Sequence, residues 1–132
     1  MAIEDLDPAE VGTFDVVLNF GILYHLENPV LAMKRLAAVT SSVMVVETAI
    51  DPEGGDRATW RMDILEPVED EDRIASTGLW RTRQVCQLFP NAQAVEDLLA
   101  FLGFATVERL EPPPDVWRPF LDGRRAVYLA QR

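Results

Sequence analysis

A mostly apolar run near the start of the chain, FDVVLNF at positions 14 to 20, limits the folds that are open to it. The run is rich in β-branched and aromatic residues and alternates little, which is typical of a strand that helices cover on both faces of a parallel sheet. Such strands lie in the middle of α/β domains, yet only 13 residues precede this one. The sequence therefore predicts either an unusual fold or part of a larger one.

Composition predicts one globular domain over residues 1–132, since 48% of the residues are hydrophobic and 26% are charged. The single cysteine, Cys86, excludes a disulfide within the chain and favours a reducing compartment, so we expect a cytoplasmic protein. The first residues lack the pattern of a signal peptide, and no uncharged stretch approaches the ~18 residues of a membrane span. We therefore expect a soluble protein without a membrane partner.

The chain is acidic, with 22 Asp and Glu against 12 Lys and Arg and a formal charge of −10. This balance disfavours binding to a phosphate backbone, so a small-molecule partner is preferred to nucleic acid. The acids are concentrated in EPVEDED at 66–72. We interpret that block as a solvated loop, with repulsion of polyanions or cation binding as the alternative.

The first half of the chain predicts a strand–helix–strand unit. Asn28 is suited to cap a helix that begins at Pro29 and runs to residue 39, and SVMVVETAI at 42–50 predicts the next strand. A right-handed crossover would place the two strands side by side in a parallel sheet. Residues 51–85 then predict a long, partly ordered insertion, which is either a cover over a site or a surface excursion.

The second half predicts three further elements. Apolar residues at helical spacing from 95 to 102 indicate a helix that ends at Gly103, and FATVERL at 104–110 indicates a strand. The prolines at 112–114 require an extended connection. RAVYLAQ at 125–131 predicts a closing antiparallel strand.

These segments together resemble the C-terminal half of class I S-adenosylmethionine-dependent methyltransferases. The matching pieces are TFDVVLNFGILYHLENPVLAMKRLAAVT, VMVVET, FPNAQAVEDLLAFLGFATVERL and GRRAVYLAQR. The YHL at 24–26 and the helix after it look closest to the branch that includes the wobble-uridine tRNA methyltransferases and various small-molecule methyltransferases. The resemblance implies a partial Rossmann-like sheet of about four strands, mostly parallel with one antiparallel closing strand, flanked by helices.

The chain departs from this family in the cofactor-binding segments. The family holds S-adenosylmethionine with a glycine-rich loop after its first strand and an acid after its second, and the sequence has no counterpart of either. The only adjacent glycines, Gly54 and Gly55, lead into GGDRATW, which lacks helical periodicity. The resemblance therefore implies that FDVVLNF is an inner strand without its inner neighbours and that this chain forms one wall of the cofactor crevice.

Two residues are candidates for catalysis by their position just after this strand. His25 is the only histidine, and an imidazole can accept a proton near neutral pH. The alternative for His25 is a loop residue bonded to a carbonyl or capping the next helix. Tyr24 either orients a substrate or packs beneath the loop.

The resemblance also implies candidate cofactor contacts. Asn19, Phe20 and Gly21 would lie along the cofactor, mainly through backbone groups, and Ile3 and Glu4 belong to the loop that flanks the adenine in the family. Asn19 has a second interpretation, because an amide in an apolar strand requires a hydrogen-bond partner in any case.

Candidate substrate contacts are Glu47, Trp60 and Trp80. Glu47 ends the second strand and is suited to hold an amine or hydroxyl, with a salt bridge to Arg57 or Arg61 as the alternative. The two tryptophans stand in polar surroundings within the insertion, where they either contact a substrate or fix the insertion to the core. No His, Cys or carboxylate spacing indicates a metal site.

Two functions follow from this pattern. The first is a methyltransferase that needs a missing N-terminal half, and the second is a non-catalytic partner module that retains the rim of the fold. An apolar strand at an open sheet edge favours association with another chain, so both predict an oligomer.

Overall fold

The computed structural model describes residues 2–66 and 85–132. Trp80 and residues 67–72 of the acidic block lie outside these ranges. The strands in the described residues are β1 Phe14–Phe20, β2 Thr40–Ala49, β3 Trp60–Leu65, β4 Val85–Pro90, β5 Thr106–Arg109 and β6 Arg125–Gln131. The helices are α1 Pro8–Val11, α2 Pro29–Val39, α3 Ala92–Phe101 and α4 Arg118–Leu121, with short 3-10 turns at Ile3–Asp5 and Leu23–His25.

Four strands form the main sheet in the order β1-β2-β6-β5. β1 and β2 are parallel, and β6 is antiparallel to both of its neighbours. This arrangement confirms the predicted α/β class, the mostly parallel sheet and the antiparallel closing strand. The strands place the ends of β1 and β2 at the same edge as the start of β6, because Ala49 pairs with Arg125.

Helix α2 begins where the sequence predicts, at Pro29 after Asn28. Asn28 Oδ1 accepts a hydrogen bond from the Leu31 N–H at the start of α2, and Asn91 caps α3 through Ala94 in the same way. Both helices pack on one face of the sheet, where Met33 and Leu99 contact a core that includes Met44 and Tyr128. Within the described ranges, no helix is long and apolar enough to cross a membrane.

The opposite face of the sheet is open on β1. Phe14, Val16, Leu18 and Phe20 are 50–59% exposed, whereas Val17 and Asn19 between them are buried. The expectation that β1 is covered on both faces is therefore wrong for this chain, because both long helices lie on the same side. We call this surface, formed by Phe14, Val16, Leu18 and Phe20, the bare face. β1 also has only one neighbouring strand, β2, so its other edge carries no described partner.

The predicted insertion, residues 51–85, contains β3 and the first residue of β4, two strands that the sequence did not indicate. β3 and β4 form a separate antiparallel pair in which Trp60 lies opposite Pro90. Trp60 also packs against the core, which agrees with a role in fixing this segment. Asn91 is the junction: its Nδ2 donates to the carbonyls of Gly54, Gly55 and Arg57, and its Oδ1 accepts from the Thr59 N–H.

Candidate active site

The candidate site lies at the carboxyl ends of β1 and β2. The Gly21 N–H donates to the Glu47 carbonyl at 3.0 Å, and Gly21 has φ +68°, which lets the chain turn sharply at this point. The turn leads into the 3-10 segment, where Leu23 is fully buried and fixes the backbone. Tyr24 and His25 are thereby held just beyond the end of the strand.

Glu47 and Arg125 form the central ion pair of this rim. Arg125 Nε donates to Oε1 at 2.5 Å and Nη2 donates to Oε2 at 2.8 Å, so the pair is bidentate. The side chains are only 14% and 17% exposed. The partner of Glu47 is therefore Arg125 and neither of the predicted arginines; Arg61 pairs with Asp63 at 2.9 Å.

Arg125 also contacts two aromatic rings. Its Nη1 donates to the Tyr24 hydroxyl at 3.3 Å, and its guanidinium carbon lies 5.4 Å from the Tyr24 ring centre and 5.7 Å from that of Trp117. The hydrogen bond to Glu47 raises the pKa of Arg125 above its ordinary value. The guanidinium is therefore a permanent cation at the centre of the site.

A series of stacked groups joins the rim to the β3–β4 pair. The rings of Tyr24 and Phe89 are stacked with centres 5.6 Å apart, and Arg61 lies 4.8 Å from the Phe89 ring. The series runs Arg61, Phe89, Tyr24, Arg125, Trp117, and we call it the cation–aromatic stack. Tyr24 thus lies between Phe89 and Arg125, while its hydroxyl remains at the rim.

His25 lies beside this stack, with its ring 4.1 Å from that of Tyr24. Partial burial lowers the pKa of His25 below 6.5, and the positive charge of Arg125 lowers it further. The imidazole is therefore mostly neutral at pH 7. A neutral imidazole is the form that can accept a proton from a substrate.

The partner of His25 decides which ring nitrogen is basic. Gln87 Nε2 lies 3.1 Å from Nδ1. With the amide in this orientation Nδ1 accepts, the proton sits on Nε2, and neither ring nitrogen is free to take a proton from a substrate. Rotation of the Gln87 amide by 180° would place its carbonyl oxygen against Nδ1–H and leave Nε2 as the base. Gln87, which the sequence analysis did not single out, therefore controls the tautomer.

The residues that the resemblance links to the cofactor lie against different elements. Asn19 is 1% exposed and its Nδ2 lies 3.2 Å from Met33 Sδ, so its side chain faces the core. Phe20 belongs to the bare face, and Gly21 lies beneath the Glu47–Arg125 pair. Ile3 packs against the core, and the Glu4 carbonyl accepts from Arg35 of α2.

A pocket of about 440 Å³ lies on the other side of Arg125. It is bounded by the chain after β2, the β3–β4 pair and the segment before α4. Its charged and aromatic lining residues are Asp51, Glu53, Arg61, Phe89, Trp117 and Arg124, together with Arg125. Trp117, which is 64% exposed, contributes an aromatic ring that the sequence analysis did not single out. The only sequence signal was an isolated tryptophan after the prolines.

The site contains no arrangement of metal ligands in the described residues. No known protein family matches the sequence, and no curated protein matches it. The likeness is to solved structures, and all of those given below are 20% identical or less.

The N-terminal domain of EvdMO1, determined in the presence of SAH and D-fucose, has a TM-score of 0.60 at 20% identity, covering 99% of this chain and 52% of that one. Magnesium protoporphyrin IX methyltransferase (ChlM) from Synechocystis PCC 6803, with bound SAH, has a TM-score of 0.51 at 12% identity, covering 100% and 49%. The S-adenosylmethionine-dependent methyltransferase SibL, in its apo form, has 0.57 at 15%, covering 100% and 34%. The chain therefore has a fold found in S-adenosylmethionine-dependent methyltransferases, and it spans about half the length of the first of these structures.

Proposed function

We propose that this chain is the acceptor-binding, C-terminal half of an S-adenosylmethionine-dependent methyltransferase and that further polypeptide supplies the cofactor-binding half. The observation that carries the proposal is the fit of nearly the whole chain to about half of such enzymes. The bare face and the open edge of β1 support it, because parallel sheets of this kind are covered on both faces.

The residues that the structure describes do not form a complete site for S-adenosylmethionine. The sheet ends at β1, where a crevice would need a further strand, and the described residues contain no glycine-rich strand–loop–helix segment. The backbone at Asn19, Phe20 and Gly21 would form one wall only. We therefore assign the methyl donor to the completed assembly and assign this chain the acceptor side.

On the acceptor side, His25 is suited to take a proton from a hydroxyl or amine. Its lowered pKa keeps it neutral, and a Gln87 amide turned so that its carbonyl accepts from Nδ1–H leaves Nε2 as the basic nitrogen. The Glu47–Arg125 pair and the Tyr24 hydroxyl supply fixed donors and acceptors that orient the acceptor. In this proposal Tyr24 is a positioning residue and His25 is the base.

The acceptor in this proposal is a small molecule. The net charge of −10 disfavours a tRNA substrate, although the wording of residues 24–26 resembles the tRNA-modifying branch. The pocket beside Arg125 has a volume suited to a small ligand, and one similar structure was determined in the presence of a sugar. We place the protein in the cytoplasm on the strength of its single, unpaired cysteine.

The second candidate is a non-catalytic partner module. The bare face favours it, since exposed apolar strand residues of this kind mark an interaction surface whether or not catalysis follows. The two candidates differ in the requirement for S-adenosylmethionine and for His25.

Calorimetry with SAH, combined with light scattering, separates them. We expect no saturable binding by the monomer and micromolar binding by an assembly in which the amides of β1 are protected from hydrogen exchange. His25→Gln in that assembly should stop methyl transfer without weakening SAH binding. An assembly with β1 protected and no affinity for SAH would leave the partner module as the function.

A further inference from the structure

We infer that the pocket beside Arg125 binds a neutral, polyhydroxylated ring of the pyranose type. The inference rests on the proposed function, since it names the class of acceptor for the same site.

The pocket has the size of a single-ring ligand. Its volume of about 440 Å³ lies at the lower end of the range for small-molecule sites. It opens next to the Glu47–Arg125 pair, and Arg125 also contacts Tyr24, which contacts His25. Arg125 and Tyr24 therefore separate a ligand in the pocket from His25, and the pocket borders the candidate site through Arg125.

One aromatic ring offers an open surface to such a ligand. Trp117 is 64% exposed; Arg125 lies 5.7 Å from its ring centre, and Phe120 meets it edge-on at 6.4 Å. Phe89 is covered by Tyr24 and by Arg61 within the cation–aromatic stack. Trp117 is thus the ring that can carry the apolar C–H face of a pyranose.

The polar groups of the pocket balance in charge. Arg125 is paired with Glu47, and Arg61, which pairs with Asp63 outside the pocket lining, lies 3.8 Å from Asp51. The side chains of Arg124 and Glu53 have no hydrogen bond or ion pair within the described residues, and they carry opposite charges. The pocket therefore favours neither an anion nor a cation.

Balanced donors and acceptors suit hydroxyl groups. A hydroxyl donates one hydrogen bond and accepts others, so it can bond to a guanidinium and to a carboxylate at once. A ring with several hydroxyls on its rim and C–H groups on its face matches both the charged pairs and Trp117. An aromatic carboxylate could stack on Trp117 and pair with Arg124, but Glu53 and Asp51 would repel its negative charge.

Saturation-transfer NMR with methyl β-D-glucopyranoside and methyl β-D-galactopyranoside tests the inference on the chain alone, without methyl donor. We expect saturable transfer at millimolar ligand, strongest at the ring C–H protons. Trp117→Ala should weaken binding at least tenfold, and Trp117→Phe should retain most of it. Phe101→Ala is the matched control, because Phe101 is 72% exposed on α3 and does not line the pocket.

Benzoate and benzylamine are the competing probes. Saturable binding of either probe in the absence of pyranoside binding would overturn the inference, and so would pyranoside binding that Trp117→Ala leaves unchanged. If Trp117→Ala does not fold, Glu53→Gln combined with Arg124→Gln tests the polar contacts, with an expected loss of at least fivefold. If the assembly binds SAH but the chain does not bind the pyranosides, the acceptor class alone is refuted. If the chain binds the pyranosides but the assembly does not bind SAH, the methyltransferase proposal is refuted.

Discussion

Glu47 and Arg125, 78 residues apart in the sequence, form a bidentate ion pair that joins the end of β2 to the start of β6. The pair lies between the turn that carries Tyr24 and His25 and the pocket beside Trp117. Gly21 lies directly against it, since a Cβ at Gly21 would be 3.7 Å from both Glu47 Oε2 and Arg125 Nη2. The ion pair therefore connects the three parts of the candidate site.

We expect Glu47→Gln or Arg125→Met to lower the free energy of unfolding by about 2–4 kcal/mol, because each leaves a largely buried charge without its partner. The double variant should lose less than the sum of the two single losses. A double-mutant cycle in urea measures the coupling, which we expect to exceed about 1.5 kcal/mol.

Arg118 and Asp122 provide the matched control for this cycle. They form an ion pair at 3.4 Å with side chains 84% and 41% exposed. Their coupling should be about 0.5 kcal/mol or less. Equal coupling energies in the two pairs would show that the burial of Glu47 and Arg125 does not strengthen their interaction.

The pKa of His25 should respond to the same two residues in opposite directions. Arg125→Met removes a positive charge and should raise the pKa, whereas Glu47→Gln leaves the guanidinium unneutralised and should lower it further. His25 is the only histidine, so a single imidazole resonance followed by NMR gives the answer. Identical titration in all three proteins would leave burial as the sole cause of the shift.

The lowered pKa of His25 also sets the sign of a pH effect on stability. The unfolded state takes up its proton near pH 6.5, and the folded state does so only at lower pH. The contribution of His25 to stability is therefore present above about pH 6.5 and is lost as the pH falls through the folded-state value. We expect His25→Gln to reduce the slope of the unfolding free energy against pH in that window, measured by urea titration.

The strands of the main sheet could be predicted from the sequence because each of them carries a local signal. β1, β2 and β6 are apolar runs, and α2 begins at an Asn-Pro pair whose capping hydrogen bond the structure contains. Local pattern does not specify which face a helix covers. The expectation that β1 is covered on both faces was wrong for that reason, since two apolar helices on one side leave the other side open whatever their composition.

The candidate site was predictable only in part for a similar reason. The positions of Tyr24, His25 and Glu47 follow from the ends of two strands, which sequence can locate. The partners Arg125 and Gln87 come from distant strands, and only the sheet order and the β3–β4 pairing place them there. An arginine at the first position of a strand carries no signal of its own.

Asn91 joins the β3–β4 pair to α3, and its replacement should be costly. Asn91→Asp would replace the amide donors with a carboxylate oxygen facing three carbonyls, so we expect a loss of about 3–5 kcal/mol. Asn28→Ala is the control, because Asn28 also caps a helix but is exposed, and its loss should be about 1 kcal/mol. Urea unfolding measures the loss of unfolding free energy in both variants. A similar loss in the two would show that Asn91 acts only as a helix cap.

The bare face should control association of the chain. Leu18 lies at its centre and is 59% exposed, so Leu18→Glu should reduce the mass seen by light scattering and the binding of a hydrophobic dye. The folded core should be unaffected, because the side chain of Leu18 points away from α2 and α3. Phe101→Glu, at an exposed aromatic on α3, should change neither measurement. If the unchanged chain is a monomer and binds no dye, the bare face gives no reason to expect a covering polypeptide. Exposure of this apolar face to water would then not drive association.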